Sequence, residues 1–416
     1  MNDQPSQREF ALDVVRQLRA AGHEALWAGG CVRDQLLGLP PKDYDVATSA
    51  HPDQVRELFG RRRTLAIGAA FGVIAVQARK PIDPIEVATF RTDGNYLDGR
   101  RPESVAFSDA RHDAQRRDFT VNGLFFDPIA EEVVDYVGGV ADLEARVLRA
   151  IGDPLKRFGE DKLRLLRAVR FAATYDLALE PATLRAVQVM ADEVSQVSGE
   201  RIGAELRRIV VHKSRARGAA LLGEAQLLAP LLPELMPYAA ANDGLWESAL
   251  TRLEQIRQAT VPLGFAALMF GMVDAAQFRG IGRRLRFSNK EIDRTAWLLE
   301  QLPAMLDAAS LSWPRLQRLL IHEGRDELLE LLSTIRPAED PGLARCKAQL
   351  ERPIEELNPP PLVTGDDLIR HGVRAGRHFS ALLERLRDQQ LDREILTADD
   401  AIAAARRWLS DHPSQS

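Results

Sequence analysis

Cysteine is scarce in this sequence and long apolar runs are missing, and each absence excludes a class of protein. Among 416 residues there are two cysteines, Cys31 and Cys346, and neither has a CxxC or Cys/His grouping near it. We therefore expect no disulfide framework and no structural zinc site. No apolar run approaches the roughly 20 residues that cross a bilayer, and the polar N-terminus has no signal-peptide pattern. The sequence thus predicts a cytoplasmic protein that does not enter a membrane.

An excess of positive charge is also missing. The chain has 55 lysine and arginine residues against 60 aspartate and glutamate residues, and its formal net charge is -5. A protein that binds nucleic acid over its whole surface needs clustered Lys and Arg. Any contact with RNA must therefore come from local patches. A hydrophobic fraction of 45% and a charged fraction of 28% are typical of a globular protein with a sizeable core.

The texture of the sequence changes near residue 143. From Glu24 to Tyr136 short β-rich runs alternate with turns, which predicts a small mixed α/β domain. From Leu143 onward, segments rich in Leu, Ala, Arg and Glu follow helical spacing, so we predict that this part is nearly all helical. The clearest predicted strands are 25–28, 71–76, 85–90 and 133–136, and the clearest helices are 161–175, 201–211 and 245–258.

The first motif with chemical meaning joins two glycines to two aspartates. Segment 29–34 reads GGCVRD after a predicted strand, so its backbone can approach a ligand closely and Arg33 can donate to a triphosphate. Asp43 and Asp45 share one face of a predicted strand, where paired carboxylates can hold divalent cations for phosphoryl transfer. Glu86 is a candidate for a third carboxylate. The structural alternatives are a tight turn, a solvated strand edge and an exposed strand glutamate.

Two further segments have ordinary structural interpretations when each is taken alone. Segment 116–124 reads RRDFTVNGL, and its adjacent basic residues are compatible with a surface turn. Segment 160–171 reads EDKLRLLRAVRF, which is typical of an amphipathic helix with a solvated Glu160–Arg164 pair. Neither segment alone establishes a function.

Together, in this order and spacing, the three segments resemble those of class II tRNA nucleotidyltransferases and bacterial poly(A) polymerases, members of the polymerase-beta-like superfamily. The resemblance continues through 135–143 (DYVGGVADL), similar to the family's hinge motif, and 198–202 (SGERI), similar to its neck motif. Further on, 361–368 (PLVTGDDL) with the following glycines resembles the tail of the tRNA-specific enzymes. One difference is Gly123, where the family usually has alanine.

The resemblance implies an architecture of class α+β. A mixed α/β nucleotidyltransferase head of the polymerase-beta-like type spans 1–142 and is followed by a mostly α-helical remainder. That remainder divides into a neck at 143–215, a body at 216–340 and a tail at 341–416. The neck would recognise the nucleotide base, and the body and tail would bind RNA.

The resemblance also implies site residues and ligands. Asp43 and Asp45 are implied as the catalytic residues, and they would hold Mg²⁺. The implied partners are tRNA, with CTP and ATP as substrates, and we predict no obligate protein partner. The residues implied at the nucleotide are Gly30, Arg33, Arg117, Asp161, Arg164, Arg167 and Arg170.

The implied function is template-independent addition of CCA to the 3′ end of tRNA from CTP and ATP, with release of pyrophosphate. Segment 67–76 (IGAAFGVIAV) resembles the tRNA enzymes more than the Gly-Arg-Arg-Phe-Arg element of poly(A) polymerases. Loop 91–115 looks full length, unlike its counterpart in enzymes that add only CC. An A-adding enzyme stays open as an alternative, and the intact aspartate pair argues against a non-catalytic RNA-binding relative. We predict no phosphohydrolase activity, because the His112–Asp113 pair has no partner cluster.

Two basic clusters in the helical part are candidate RNA-binding patches, since phosphate binding needs grouped cations. The alternative is a set of helical arginines on a solvated face. The clusters are Arg207, Arg208, His212, Lys213, Arg215 and Arg217, and then Arg279, Arg283, Arg284 and Arg286.

Asp161 and Arg164 carry a hypothesis about base selection. Three residues apart on a predicted helix, they lie about 60° apart and can face one base together. Aspartate only accepts and arginine only donates. Cytosine and adenine each present an amino donor beside a ring-nitrogen acceptor and match this pair, whereas uracil and guanine present the opposite pattern. Glu160 can orient Arg164, or the two can form an ordinary i,i+4 contact.

Overall fold

The computed structural model describes residues 6–68, 71–93, 105–241, 244–373, 376 and 378–411. The chain divides into two compact units, Met1–Leu250 with Arg283–Phe287, and Thr251–Gly282 with Ser288–Ser416. The predicted division into four domains stays a prediction. Segments 67–76 and 91–115, which bear on the choice of product, lie partly outside the described residues.

The first unit begins with a mixed α/β domain, which confirms the prediction for this part of the chain. Its strands are β1 (Ala25–Ala28), β2 (Asp45–Thr48), β3 (Thr64–Gly68), β4 (Val73–Val76), β5 (Ile85–Thr89), β6 (Arg91–Asp93), β7 (Val105–Phe107), β8 (Phe125–Asp127) and β9 (Glu132–Val134). Seven of them form one sheet in the order β3-β4-β5-β2-β1-β8-β9, and β6 pairs with β7. Its helices are α1 (Gln7–Ala20), α2 (Gly30–Leu36), α3 (Pro52–Phe59), α4 (Ala110–Gln115) and α5 (Gly139–Glu144).

The remainder is largely helical, which confirms the predicted fold class. In the first unit a short parallel pair, β10 (Val147–Leu148) and β11 (Ala178–Leu179), accompanies the helices. Those helices are α6 (Pro154–Glu160), α7 (Leu163–Tyr175), α8 (Pro181–Val189), α9 (Gly199–Val211), α10 (Arg215–Glu224), α11 (Leu228–Leu231) and α12 (Met236–Ala240). Within the described residues, none of the helices combines the length and the apolar character that crossing a bilayer requires.

Two helices, α13 (Leu245–Gln255) and α15 (Ala275–Arg284), have residues in both units. The other helices of the second unit are α14 (Val261–Met269), α16 (Asn289–Met305), α17 (Trp313–Ile321), α18 (Arg325–Ser333), α19 (Pro341–Leu350), α20 (Ile354–Leu357), α21 (Gly365–Arg370), α22 (Phe379–Leu391) and α23 (Ala398–Asp411). Local capping explains where several begin. Ser288, for example, accepts from the Glu291 backbone amide while Glu291 accepts from that of Ser288, a capping box that starts α16.

The register of the sheet brings distant segments to one edge. Ala28 at the end of β1 pairs with Asp45 at the start of β2 and with Phe125 at the start of β8. Strand β2 runs parallel to β5, with Val46 opposite Val87. The Gly-Gly turn, the aspartate pair, the start of β5 and the segment before β8 therefore meet at this edge, which we call the catalytic edge.

An aromatic core supports the catalytic edge. The buried Trp27 ring lies 4.8 Å from the ring of Tyr44 and 5.7 Å from that of Phe126, measured between centroids. Tyr44 is thus buried, as its place between the two aspartates predicted. One detail of the prediction is wrong: β2 begins at Asp45, so Asp43 lies just before the strand and not in it.

Candidate active site

A cleft of about 980 Å³ opens at the catalytic edge within the first unit. It is lined by the turn after β1, the start of β2, segment 116–122 and residues of α7 and α9. Every residue predicted for the site lines this cleft, although the role of each stays a prediction. Nine arginine and lysine side chains line it against five aspartates, so the cleft suits a polyanionic ligand.

The two glycines of the turn have different surroundings. Gly29 has φ +70°, a conformation that other residues rarely adopt, and a Cβ built there would lie 2.7 Å from Nη1 of Arg117. Only glycine therefore lets Arg117 approach the backbone at this point. Helix α2 begins at the next residue, Gly30, as the sequence predicted.

The carboxylates of the pair differ in exposure. Asp43 is exposed, whereas Asp45 is half-buried. Burial raises the pKa of Asp45 to about 6, helped by the negative charges of Asp43 and Glu86 and opposed by Arg117. Within the described residues, no three His, Cys, Asp or Glu side chains are grouped so that together they could hold a metal ion. Glu86 therefore does not complete a three-ligand site with the aspartates.

Arg33 is buried, and most of its donors are already used. Its Nε and Nη2 donate to Oδ1 of Asp34 at 2.9 and 2.6 Å, and its Nη1 donates to Oδ1 of Asn122 at 2.5 Å. Nη2 also donates to the Tyr175 hydroxyl, and the guanidinium lies 3.9 Å from the centroid of that ring. Because a guanidinium has five N–H donors, little capacity is left for the triphosphate contact that the sequence predicted. The position of Arg33 ties α2 to segment 116–124 and to α7.

Asp113 is a site residue that the sequence reasoning missed. Its Oδ1 accepts from Nε and Nη2 of Arg116 at 2.8 and 2.6 Å, and its Oδ2 accepts from Nε and Nη2 of Arg117 at 3.2 and 3.0 Å. Burial pushes the pKa of Asp113 up, but the two guanidinium groups outweigh burial and hold it below its usual value. The spacing of three and four residues to the arginines was the available signal.

Replacing Asp113 by asparagine is expected to reduce nucleotide incorporation about tenfold and to destabilise the fold by roughly 3 kcal/mol, because two arginines lose their buried counter-charge. Urea unfolding and steady-state kinetics measure the two effects. Asp53→Asn, at an exposed position on α3, is the control. Unchanged stability and an unchanged KM for the nucleotide would show that Asp113 does not hold the arginine pair.

Asp161 does not lie on the helix predicted for it. Helix α6 ends at Glu160 and α7 begins at Leu163, and Asp161 is extended between them with φ -143°. Its Oδ1 accepts from the Leu163 backbone amide at 3.0 Å, and its Oδ2 accepts from Nη2 of Arg201 at 2.7 Å. Aspartate readily makes such local bonds in place of helical ones, which explains the break. The predicted 60° relation to Arg164 is therefore wrong, although both side chains line the cleft.

Arg164 is buried near the start of α7. Its Nη1 donates to Oε2 of Glu160 at 2.5 Å and to the Arg157 carbonyl at 2.9 Å, and its Nη2 donates to the Arg116 carbonyl at 3.2 Å. The Glu160–Arg164 pair therefore exists, and it holds the guanidinium against two backbone segments. This leaves Nε–H and one Nη2–H of Arg164 for a ligand.

Arg167 and Arg170 are held by acidic residues without a role in the prediction. Oδ2 of Asp118 accepts from Nε and Nη2 of Arg167 at 2.9 and 2.6 Å. Burial raises the pKa of Asp118, but Arg167 outweighs burial and brings it to about 2. Arg170 pairs with the buried Glu205 and lies 4.1 Å from the centroid of the Phe171 ring. Each arginine of the cleft is thus fixed in place before a ligand binds.

Two parts of the chain match described families. Residues 25–149 match the family described as the poly A polymerase head domain, and residues 176–238 match one described as a probable RNA and SrmB-binding site of polymerase A. The first match spans the sheet and the catalytic edge. The second lies in the helical part of the first unit.

The chain is similar over nearly its whole length to CCA-adding enzymes. It is 32% identical to the CCA-adding enzyme of Limosilactobacillus fermentum over 397 residues, which cover 94% of each protein. It is 40% identical to that of Anoxybacillus flavithermus over 56% of this chain and 57% of the relative. The crystal structure of the Bacillus stearothermophilus CCA-adding enzyme in complex with CTP is similar with a TM-score of 0.79 and 27% identity, over 99% of this chain and all of that one. The chain therefore belongs to the family of CCA-adding enzymes, and it is a nucleotidyltransferase.

Proposed function

We propose that this protein completes the 3′ end of tRNA by adding CMP and AMP from CTP and ATP, with release of pyrophosphate, in the cytoplasm. The observation that carries the proposal is the joint lining of one cleft by the aspartate pair and by the arginines of segment 116–124 and α7. Carboxylates and fixed guanidinium groups are the groups that nucleotidyl transfer from a triphosphate requires. The similarity to CCA-adding enzymes over the whole chain supports this product.

The aspartate pair fits a divalent cation, which the family implies, and we propose magnesium. The raised pKa of Asp45 reports negative charge that its surroundings do not neutralise. Carboxylate oxygens are the ligands that Mg²⁺ prefers, and Mg²⁺ commonly uses only one or two of them together with substrate phosphates. Asp43 and Asp45 would hold the ion, which would activate the 3′ hydroxyl and stabilise the departing pyrophosphate.

The other residues of the cleft bind and orient the nucleotide. Arg117, held by Asp113 beside the close approach at Gly29, is placed to bind phosphate oxygens near the aspartates. Gly30 leaves room for the triphosphate beside the aspartates, since no side chain projects there. Arg167 and Arg170, fixed by Asp118 and Glu205, would complete the pocket around the base and ribose.

With tRNA that ends at the discriminator base, addition in the presence of CTP and ATP is expected to stop after three nucleotides. CTP alone should give two additions, and ATP alone should give none. Sequencing of the product ends measures each outcome. Long A tracts on unrelated RNA would identify a poly(A) polymerase, and a strict requirement for tRNA ending in CC would identify an A-adding enzyme.

A further inference from the structure

Five exposed cations lie close together in the sheet domain outside the cleft. Arg61, Arg62 and Arg63 form a single 3₁₀ turn before β3, and Arg79 and Lys80 lie in the turn between β4 and β5. The Gln77 backbone amide donates to the Arg63 carbonyl at 2.7 Å, so the two segments adjoin. We call these five residues the edge patch.

The edge patch lies at the catalytic edge of the sheet. Thr64 at the start of β3 pairs with Val76 at the end of β4, and Val76 pairs with Ile85 at the start of β5. Since β5 runs parallel to β2, the start of β3 is level with the start of β2, where Asp45 lies. Three strand spacings separate β3 from β2, which is about 14 Å.

The charges of the edge patch are not neutralised. Within the part of the chain that the structure describes, none of its five side chains forms an ion pair. The basic clusters predicted in the helical part are different, because several of their members are paired. Those pairs are Arg208 with Glu205, Arg217 with Asp176, Arg279 with Glu300 and Arg284 with Glu234. Free cations bind phosphate more strongly than paired ones, because no acidic partner has to be displaced.

Two kinds of partner have the negative charge that this patch requires. An acidic protein segment could pair with the edge strand β3, which exposes Leu65 and Ile67 to 48% and 56%. An RNA backbone would use the cations alone. The position favours RNA, because the cations lie level with Asp45 whereas the two aliphatic residues lie further along β3. An RNA whose 3′ end reaches Asp45 would pass within about 14 Å of the patch, a distance of two or three phosphates.

We propose that the edge patch binds backbone phosphates of the RNA whose 3′ end is extended, outside the nucleotide cleft. This proposal rests on the proposed function, since the 3′ end of the RNA must lie at Asp45. The contacts are electrostatic and carry no base specificity. They hold the RNA near the cleft while successive nucleotides are added to its end.

The test is the double variant Arg62→Gln/Arg79→Gln, with one change in each segment of the patch. Because both side chains are exposed and unpaired, thermal stability should not change. Each lost phosphate contact lowers the slope of log K against log salt by about 0.7 to 0.9, so the slope should fall by about 1.5. At about 0.1 M salt, affinity for tRNA should fall at least tenfold, as should kcat/KM for tRNA. The KM for CTP should stay within about twofold.

A matched control removes two exposed, unpaired cations elsewhere in the first unit. Arg16→Gln/Lys156→Gln changes the net charge by the same amount and should leave the salt slope unchanged. Direct RNA binding, measured by fluorescence anisotropy over a salt series, does not depend on turnover. The wild type would fail to extend tRNA if the proposed function were wrong, and this is a separate readout. Equal RNA affinity and salt slope in the patch variant and the wild type would overturn the proposal and leave an acidic protein segment as the partner.

Discussion

Asp45→Asn is expected to reduce nucleotide incorporation by roughly a thousandfold or more. The change keeps the shape of the side chain but removes the charge that we propose holds the magnesium ion with Asp43. Loss of a metal-stabilised transition-state charge costs several kcal/mol, and about 4 kcal/mol corresponds to a thousandfold change in rate. Single-turnover incorporation of CTP into tRNA is the measurement, with Asp83→Asn, at an exposed position before β5, as the control.

The same variant should be more stable than the wild type when no metal is present. The folded-state pKa of Asp45 is about 6 against an ordinary 3.8, mainly because of burial. Its ionised form is therefore disfavoured in the folded protein, and at pH 7 this costs about 2 to 3 kcal/mol. The gain in Asp45→Asn should be present at pH 7, shrink as pH falls through about 6 and vanish below about 4, where Asp45 is protonated in both states.

Thermal unfolding with and without magnesium separates these effects. Magnesium should raise the Tm of the wild type, because the ion binds the folded state. It should leave the Tm of Asp45→Asn nearly unchanged. A normal turnover in this variant, or an equal Tm increase by magnesium in both proteins, would show that Asp45 does not bind the metal.

Asp161→Ala and Arg164→Ala are expected to lower the preference for CTP and ATP over UTP and GTP by roughly a hundredfold. Bidentate contacts discriminate between bases by about 1 to 3 kcal/mol, and buried groups left unpaired by a wrong base add to the penalty. Both side chains line the same cleft. Their different backbone settings, one extended and one helical, replace the shared helix face that the sequence suggested.

The hydrogen bonds of the two side chains leave capacity for one base. Asp161 accepts two bonds, from Leu163 and Arg201, and a carboxylate can accept about four. Arg164 keeps Nε–H and one Nη2–H free, while Glu160 and two carbonyls hold its other edge. An acceptor beside a donor is the pattern that matches both cytosine and adenine. Glu160 thus acts as a positioning residue for Arg164.

Incorporation of all four nucleotides should be measured for both alanine variants and for Lys162→Ala. Lys162 lies between them in sequence but pairs with Glu193, and it does not line the cleft. It should therefore keep the wild-type preference. If Asp161→Ala and Arg164→Ala keep that preference as well, then base selection lies elsewhere in the cleft.

The sequence by itself determined the elements and the chemical groups of this protein. Alternating runs and turns predicted the mixed domain, helical spacing predicted α7, α9 and α13, and the order of the three segments identified the family. These signals are local, since periodicity and turn residues act over a few neighbours. The aspartate pair and the arginines were therefore found without the structure.

Only the tertiary structure decided which charges meet. Arg33 was predicted as a free donor, but Asp34, Asn122 and Tyr175 use most of its capacity. Glu205 holds Arg170 from a helix 35 residues away in sequence. Strand register, which depends on pairing between distant segments, places Arg61 to Arg63 level with Asp45. Such pairings are not encoded by local spacing, because each residue's partner is fixed only when the whole sheet and its helices pack together.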